Sequence, residues 1–144
     1  MRQIKFRGKY NKDNLHFLKD YDYWIYGSGI IYKGRENKHR LCIQSDLFLG
    51  ADFLEVDKKT IGQFTGVYDS KGNEIYEGDI LSPISSEGFN YEVKFENGEF
   101  AMYSKHGFWG SLSKLDDVKV RFDINIRVIG NIFDNPELMK DEKK

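Results

Sequence analysis

The side chains with the types and spacing to do chemistry gather in Thr60 to Leu81, TIGQFTGVYDSKGNEIYEGDIL, which carries Glu74, Glu77 and Asp79. Three neighbouring carboxylates can hold Mg²⁺, or divide acid and base work as in nucleases and glycosidases. On an extended strand Glu77 and Asp79 would share a face, but Glu77-Gly78-Asp79 has the composition of a turn. A carboxylate there bonds turn backbone, so these residues are expected to cap turns and face solvent, and no catalytic residue is assigned. The same stretch fails as a phosphate loop, because Lys71-Gly72-Asn73 is followed by a strand pattern and not by a helix. It fails as a calcium loop, because Lys71 stands where an oxygen ligand is needed after Asp69.

Other candidates are thinner. His39 and Cys42 form an HxxC fragment, but zinc takes three or four ligands, and His16 and His106 lie far off in sequence. Cys42, between Leu41 and Ile43, reads as a small core residue, and the chain has no GxSxG elbow, Ser85-Ser86 being turn composition. No metal and no cofactor are assigned.

Binding chemistry is represented by aromatics and cations. Tyr21, Tyr23, Trp24 and Tyr26, with Phe108 and Trp109, could form a platform for a base or a peptide. Large aromatics fill β cores more often than they face water, so Trp24 and Trp109, the latter in GFWG, are expected inside. Residues 1–43 hold ten Lys/Arg against four Asp/Glu, whereas the remainder holds twelve against nineteen. Lys33, Arg35, Lys38 and Arg40 cluster in the basic part and could meet phosphates. The net charge of −1 is not the basic footprint of a nucleic-acid-binding domain, and the two opposite halves can meet within one fold or between copies. The candidate binding residues are therefore Trp24, Tyr26, Trp109, Lys33, Arg35, Lys38 and Arg40, with nucleic-acid binding as the alternative to a protein partner.

The elements that must position these residues alternate with a period of two. Ile4 and Phe6 alternate with Lys5 and Arg7, and Tyr91, Val93 and Phe95 with Glu92, Lys94 and Glu96. Val118 to Val128 alternates throughout and predicts a single long strand. YWIYGSGIIY, Tyr23 to Tyr32, predicts a strand pair or a bent strand, with a bulge or sharp turn at Gly27 and Gly29. Asn97-Gly98 between YEVKFE and EFAMY predicts a tight hairpin, since both residues accept positive φ. Asn11 to Asn14, Lys33 to His39 and Ser85 to Asn90 read as polar loops, and Gln44 to Glu55 as a short helix broken at Gly50. Asn135, Pro136 and Glu137 predict a short tail helix with Asn135 as its cap. Within TIGQFTGVYDSKGNEIYEGDIL the pattern predicts a strand to Tyr68 and a turn in which Gly72 takes positive φ and Asp69 bonds the backbone. A return strand Glu74 to Tyr76 and a second turn at Gly78-Asp79 follow.

A chain of 144 residues, 40% hydrophobic with a mean hydropathy of −0.61, suits a folded domain or two closely packed subdomains. The N-terminus MRQIKFRGKY has no apolar signal region, one cysteine forms no internal disulfide, and no run nears the ~18 apolar residues of a membrane span. A cytoplasmic protein away from membranes is expected.

IKFRG near the start, WIYG, EVDKKTIGQFTGVYDSKGNEIYEGDIL and VIGNIFDNPELM, in that order, resemble the motifs of the YopX family of phage and prophage proteins over nearly the full chain. The resemblance implies an all-β protein with a small SH3-like barrel in its C-terminal part, to which the residue patterns add antiparallel strands and a short C-terminal helix. It implies a phage origin; the turns of the stretch Thr60 to Leu81 make it the expected hinge between N-terminal and C-terminal β subdomains, 1–59 and 60–144, closely packed or one domain. It implies no reaction. The expected role is a non-enzymatic accessory protein in the bacterial host cytoplasm that binds a host or phage protein, or its own copies as a homo-oligomer.

Overall fold

A computed structural model describes residues 3–10, 24–33, 40–45, 53–83, 89–122 and 125–140. The expected loop at Asn11 to Asn14 lies outside them, as does the loop at Lys33 to His39 beyond its first residue and that at Ser85 to Asn90 before its last two. The chain divides into two compact units, Met1–Gln63 and Phe64–Lys144. The antiparallel all-β class is what the described residues show, apart from one α-helix and short 3₁₀ turns.

In the first unit β1 (Phe6–Lys9) pairs with β2 (Trp24–Lys33), β2 with β3 (Arg40–Ser45), and β3 with β4 (Phe53–Glu55), all antiparallel. On its other side β1 meets the start of β5 (Gly62–Tyr68) through Arg7↔Gly62 and Phe6↔Gln63. β2 is one continuous strand whose register with β3 shifts between Gly27 and Gly29, the bulge its glycines predict. Tyr10, Ile25, Ile43 and Val56 form the core, and Cys42 is buried as expected. Gly8 is required by packing: a Cβ there would stand 2.9 Å from Val56 Cβ.

Two expectations fail in this unit. Phe53 and Leu54 belong to strand β4, not to a helix, because pairing to Gln44 and Ile43 satisfies their backbone. Arg7, placed by alternation on the wet face, is only 6% exposed, whereas Ile4 is exposed. The Arg7 guanidinium lies over the Trp24 ring, 4.6 Å from its centroid, so cation–π contact replaces hydration.

In the second unit, β7 (Asp79–Pro83), β8 (Tyr91–Glu96), β9 (Glu99–Ser104), β10 (Gly107–Ser111) and β11 (Ile126–Asn131) form a sheet in the order β10-β9-β8-β7-β11. Among the described residues no ladder joins β10 to β11, so the barrel that the resemblance implies is not closed by strand pairing. The rest of β5 pairs with β6 (Glu74–Tyr76). Ile75, Leu81, Tyr91, Val93, Met102, Leu112, Leu115 and Ile126 make the core. Asn97 and Gly98 take φ of 53° and 79°, the left-handed pair that the β8–β9 hairpin needs.

The long strand predicted over Val118 to Val128 does not exist. Leu115–Phe122 is helix α1, and the strand begins only at Ile126. Leu115, Val118 and Phe122 also fall at i, i+3, i+7, so the run satisfies both periods, and packing decides. Leu115 is fully buried, Asp116 and Asp117 sit in the first turn where the dipole favours them, and Val120 is 85% exposed. Lys119 Nζ holds the helix by donating to the Tyr68 carbonyl at 3.0 Å. The tail element is a single 3₁₀ turn, Pro136–Met139, with Pro136 leading it. Asn135 holds the N-cap position, but its side chain makes no capping bond, because its Oδ1 instead accepts from the Asn131 N–H at 3.3 Å.

Candidate functional site

Asp69 and Asp79 of the opening stretch serve turns, whereas Glu74 lies in β6. Asp69 is buried, and its Oδ1 accepts from the N–H groups of Lys71 (2.9 Å) and Asn73 (2.8 Å). Gly72 completes this turn with φ of 85°. Asp79 is buried and accepts from the Tyr76 N–H at 2.8 Å across the second turn, where Gly78 has φ of 89°. Glu74 accepts from the Tyr76 hydroxyl at 2.7 Å. Among the described residues no group of three or more His, Cys, Asp or Glu is placed to hold a metal ion.

The Asp69 turn also closes one edge of the second sheet. Its Oδ2 accepts from the Val128 N–H at 3.1 Å, and Ser70 Oγ accepts from the Ile126 N–H at 2.9 Å. The Ser70 N–H donates to the Ile126 carbonyl at 2.9 Å. The N–H groups of Ile126 and Val128 and the Ile126 carbonyl, on the outward side of β11, are therefore met by a turn from the other end of the unit. Burial pushes the Asp69 carboxyl up, but the bonds from Asn73, Val128 and Lys71 outweigh it and hold the group below the usual carboxylate range.

The opposite edge is built differently. Lys105 and His106 turn the chain from β9 into β10, braced by the His106 N–H donating to Ser104 Oγ at 3.1 Å, with Gly107 at φ 117°. Phe108 stands opposite Tyr103, ring edge to ring face at 5.7 Å between centroids, and is 60% exposed. The register slips between Phe108 and Gly110, making Trp109 the extra residue of a bulge. Trp109 packs against Tyr91 at 5.0 Å yet remains 44% exposed, so its expected place in the core is corrected. Trp109 stands at a bulge of the sheet's edge strand, with Tyr91 as its aromatic neighbour. Phe89, also exposed, meets His106 at 4.9 Å and lies 5.7 Å from Lys105 Nζ. Among the described residues no strand pairs with the outer side of β10.

Electrostatics differ along this surface. Inward from Phe108, Lys94 Nζ lies 5.3 Å from the Tyr103 ring and 3.8 Å from Glu92. Burial raises the Glu92 carboxyl above its ordinary value against the pull of Lys94. Burial, the hydrogen bond to Glu96 and the charges of Glu96 and Glu99 raise the Tyr103 phenol. Lys105 precedes β10 and Lys114 follows it, with Asp116 and Asp117 two and three residues further on, while the strand itself is uncharged.

The other residues singled out in the sequence lie in the first unit. Trp24 is half-buried beneath Arg7 and Tyr26 is exposed on β2. Lys33 and Arg40 are paired through their backbones at the ends of β2 and β3, and only their backbones are among the described residues. Arg35, Lys38, His39, Tyr21 and Tyr23 lie outside the described residues. Phe89 escaped sequence reasoning, and His106 was weighed there only as a metal ligand. The signal for them was the two-residue spacing of Phe89 and Tyr91 opposite a turn bearing His106, readable only once the β8–β9 register is known.

The fold and this edge define an antiparallel β protein with one sealed and one aromatic sheet edge. The chain belongs to the YopX family: the family model described as YopX protein matches residues 5–140. Among solved structures it is similar to the crystal structure of protein EF1440 from Enterococcus faecalis, with 26% identity, 94% of this chain and 97% of that chain covered, and a TM-score of 0.49. The search of curated proteins finds no match. Among the described residues no helix is long and apolar enough to cross a membrane.

Proposed function

We propose that the chain is a phage- or prophage-encoded accessory protein of the bacterial cytoplasm, a non-enzymatic module that binds a protein partner or its own copies through the β10 edge. The observation that supports this reading is the contrast within one sheet: β11 is capped by Asp69 and Ser70, whereas β10 carries exposed Phe108 and Trp109. Exposed strand edges and clustered aromatics are the parts from which β-surface recognition is made. The test places a photo-crosslinking amino acid at position 108 and, as a control of greater exposure, at position 120 of α1, in the bacterial host. Adducts of defined mass at 108 and not at 120 support the reading. Equal adducts at both positions, or none at 108, contradict it.

A further inference from the structure

We infer that Asn97 is a site of uncatalysed covalent modification, its side-chain amide lost to water so that the tip of the β8–β9 hairpin converts to a mixture of aspartate and isoaspartate. An asparagine reacts in this way when its carboxamide can meet the backbone nitrogen of the next residue, and the fold holds the other asparagines among the described residues against it. The Asn73 amide donates to Asp69 Oδ2 at 3.0 Å, the Asn90 amide to the Leu138 carbonyl at 2.8 Å and the Asn131 amide to Asp134 Oδ2 at 3.0 Å. Beyond Asn125 and Asn131, the N–H groups of Ile126 and Ile132 donate to Ser70 Oγ and to the Gly78 carbonyl. Beyond Asn135 stands Pro136, which has no N–H.

Asn97 has none of these restraints. It is exposed, and among the described residues its carboxamide makes no hydrogen bond and the Gly98 N–H donates to nothing. Ring closure needs rotation about the Asn97 Cα–C bond, which the tight turn, with Asn97 at φ 53°, restrains through the Glu96↔Glu99 pair. That pair is a weak restraint, because it sets two carboxylates directly opposite each other. The Phe95–Phe100 contact, 5.0 Å between ring centroids, stands behind it and confines the opening to the tip.

The chemistry needs only solvent. Hydroxide takes the Gly98 N–H proton and the nitrogen attacks Asn97 Cγ. As the N–Cγ bond forms, the Cγ–Nδ2 bond breaks, and Nδ2 leaves as ammonia with its added protons drawn from water. A water molecule then opens the succinimide ring: attack at Cγ yields aspartate, and attack at the main-chain carbonyl carbon yields isoaspartate, whose backbone is longer by one atom. No atom changes oxidation state. Either product sets a further carboxylate between Glu96 and Glu99, and isoaspartate lengthens the turn that fixes the β8–β9 register.

The experiment holds the full chain in neutral and in mildly alkaline buffer, beside a sample unfolded in urea, and maps conversion by peptide mass spectrometry with isoaspartyl methyltransferase labelling. In the folded chain Asn97 is expected to convert at least ~10-fold faster than Asn73, Asn90, Asn125, Asn131 or Asn135, at a rate that rises with hydroxide. Amide spectra of the converted protein should show shifted signals at residues 95–100 and unmoved ones at Val93 and Met102. Asn97→Gln, whose extra methylene disfavours the ring, should keep its amide over the same period. An Asn97 that stays intact in the folded chain while the unfolded sample converts overturns the inference. Equal or faster conversion at another of these asparagines also overturns it, as does a rate indifferent to hydroxide.

Discussion

Strands β11 and β10 bound the same five-stranded sheet, yet one is finished with polar turn chemistry and the other with aromatic rings. At β11 a carboxylate and a hydroxyl take up the outward N–H groups of Val128 and Ile126. At β10 a bulge, glycines and two exposed aromatics leave the strand facing outward. An unprotected edge is a liability, and here one edge is capped by a buried ionised group while its twin is left apolar. The cap contributes to stability.

Changes at the two edges should separate accordingly. Asp69→Ala strands the N–H groups of Lys71, Asn73 and Val128 and is expected to lower the unfolding free energy by about 3 kcal/mol in urea titrations. A loss well under about 1 kcal/mol would erase the distinction between the edges. The same residue gives the acid limb of stability its sign. Its folded carboxyl lies below the unfolded value, so its contribution is complete above the ordinary carboxylate range and disappears as pH falls through the depressed value. Asp69→Asn should flatten that limb in urea midpoints measured as a function of pH.

Gly78→Ala comes next, at about 2 kcal/mol, because φ of 89° disfavours a side chain and the new Cβ would lie 3.1 Å from Phe133 Cε2. The residue also holds the chain beyond β11, through Ile132 N–H donating to its carbonyl at 2.9 Å. Ser70→Ala removes one acceptor from the cap and should cost about 1 kcal/mol. Smallest is Phe108→Ser, expected to change the urea midpoint by less than about 0.5 kcal/mol equivalent while abolishing adducts from a crosslinker at position 109. A large destabilisation there would show that β10 is held by its aromatics and is not a spare edge.

Much of this was legible from residue types alone. Asn97-Gly98, the Gly27 and Gly29 bulge, and the turns built on Asp69, Gly72, Gly78 and Asp79 are local events, decided by φ and by short side-chain bonds. The cap on β11 was not legible, because Asp69 and Val128 are 59 positions apart and nothing in either residue announces the other. Helix α1 was hidden because Val118 and Phe122 fit an alternating face with Val120 as well as a helical one with Leu115, and only the burial of Leu115 decides between them. Trp109 misled for a related reason. Composition sends an indole to the core, but a one-residue slip in register turns it outward. Arg7 is the converse, a charge carried inside by the ring of Trp24.

Residue-resolved amide hydrogen exchange tests the contrast between the edges most directly. In the isolated protein the Ile126 and Val128 amides should exchange only with large-scale unfolding, while the amides of Gly107–Ser111 that face away from β9 should exchange at rates near those of open turns. Equal protection at both edges, or a rapidly exchanging Val128 amide, would contradict the account.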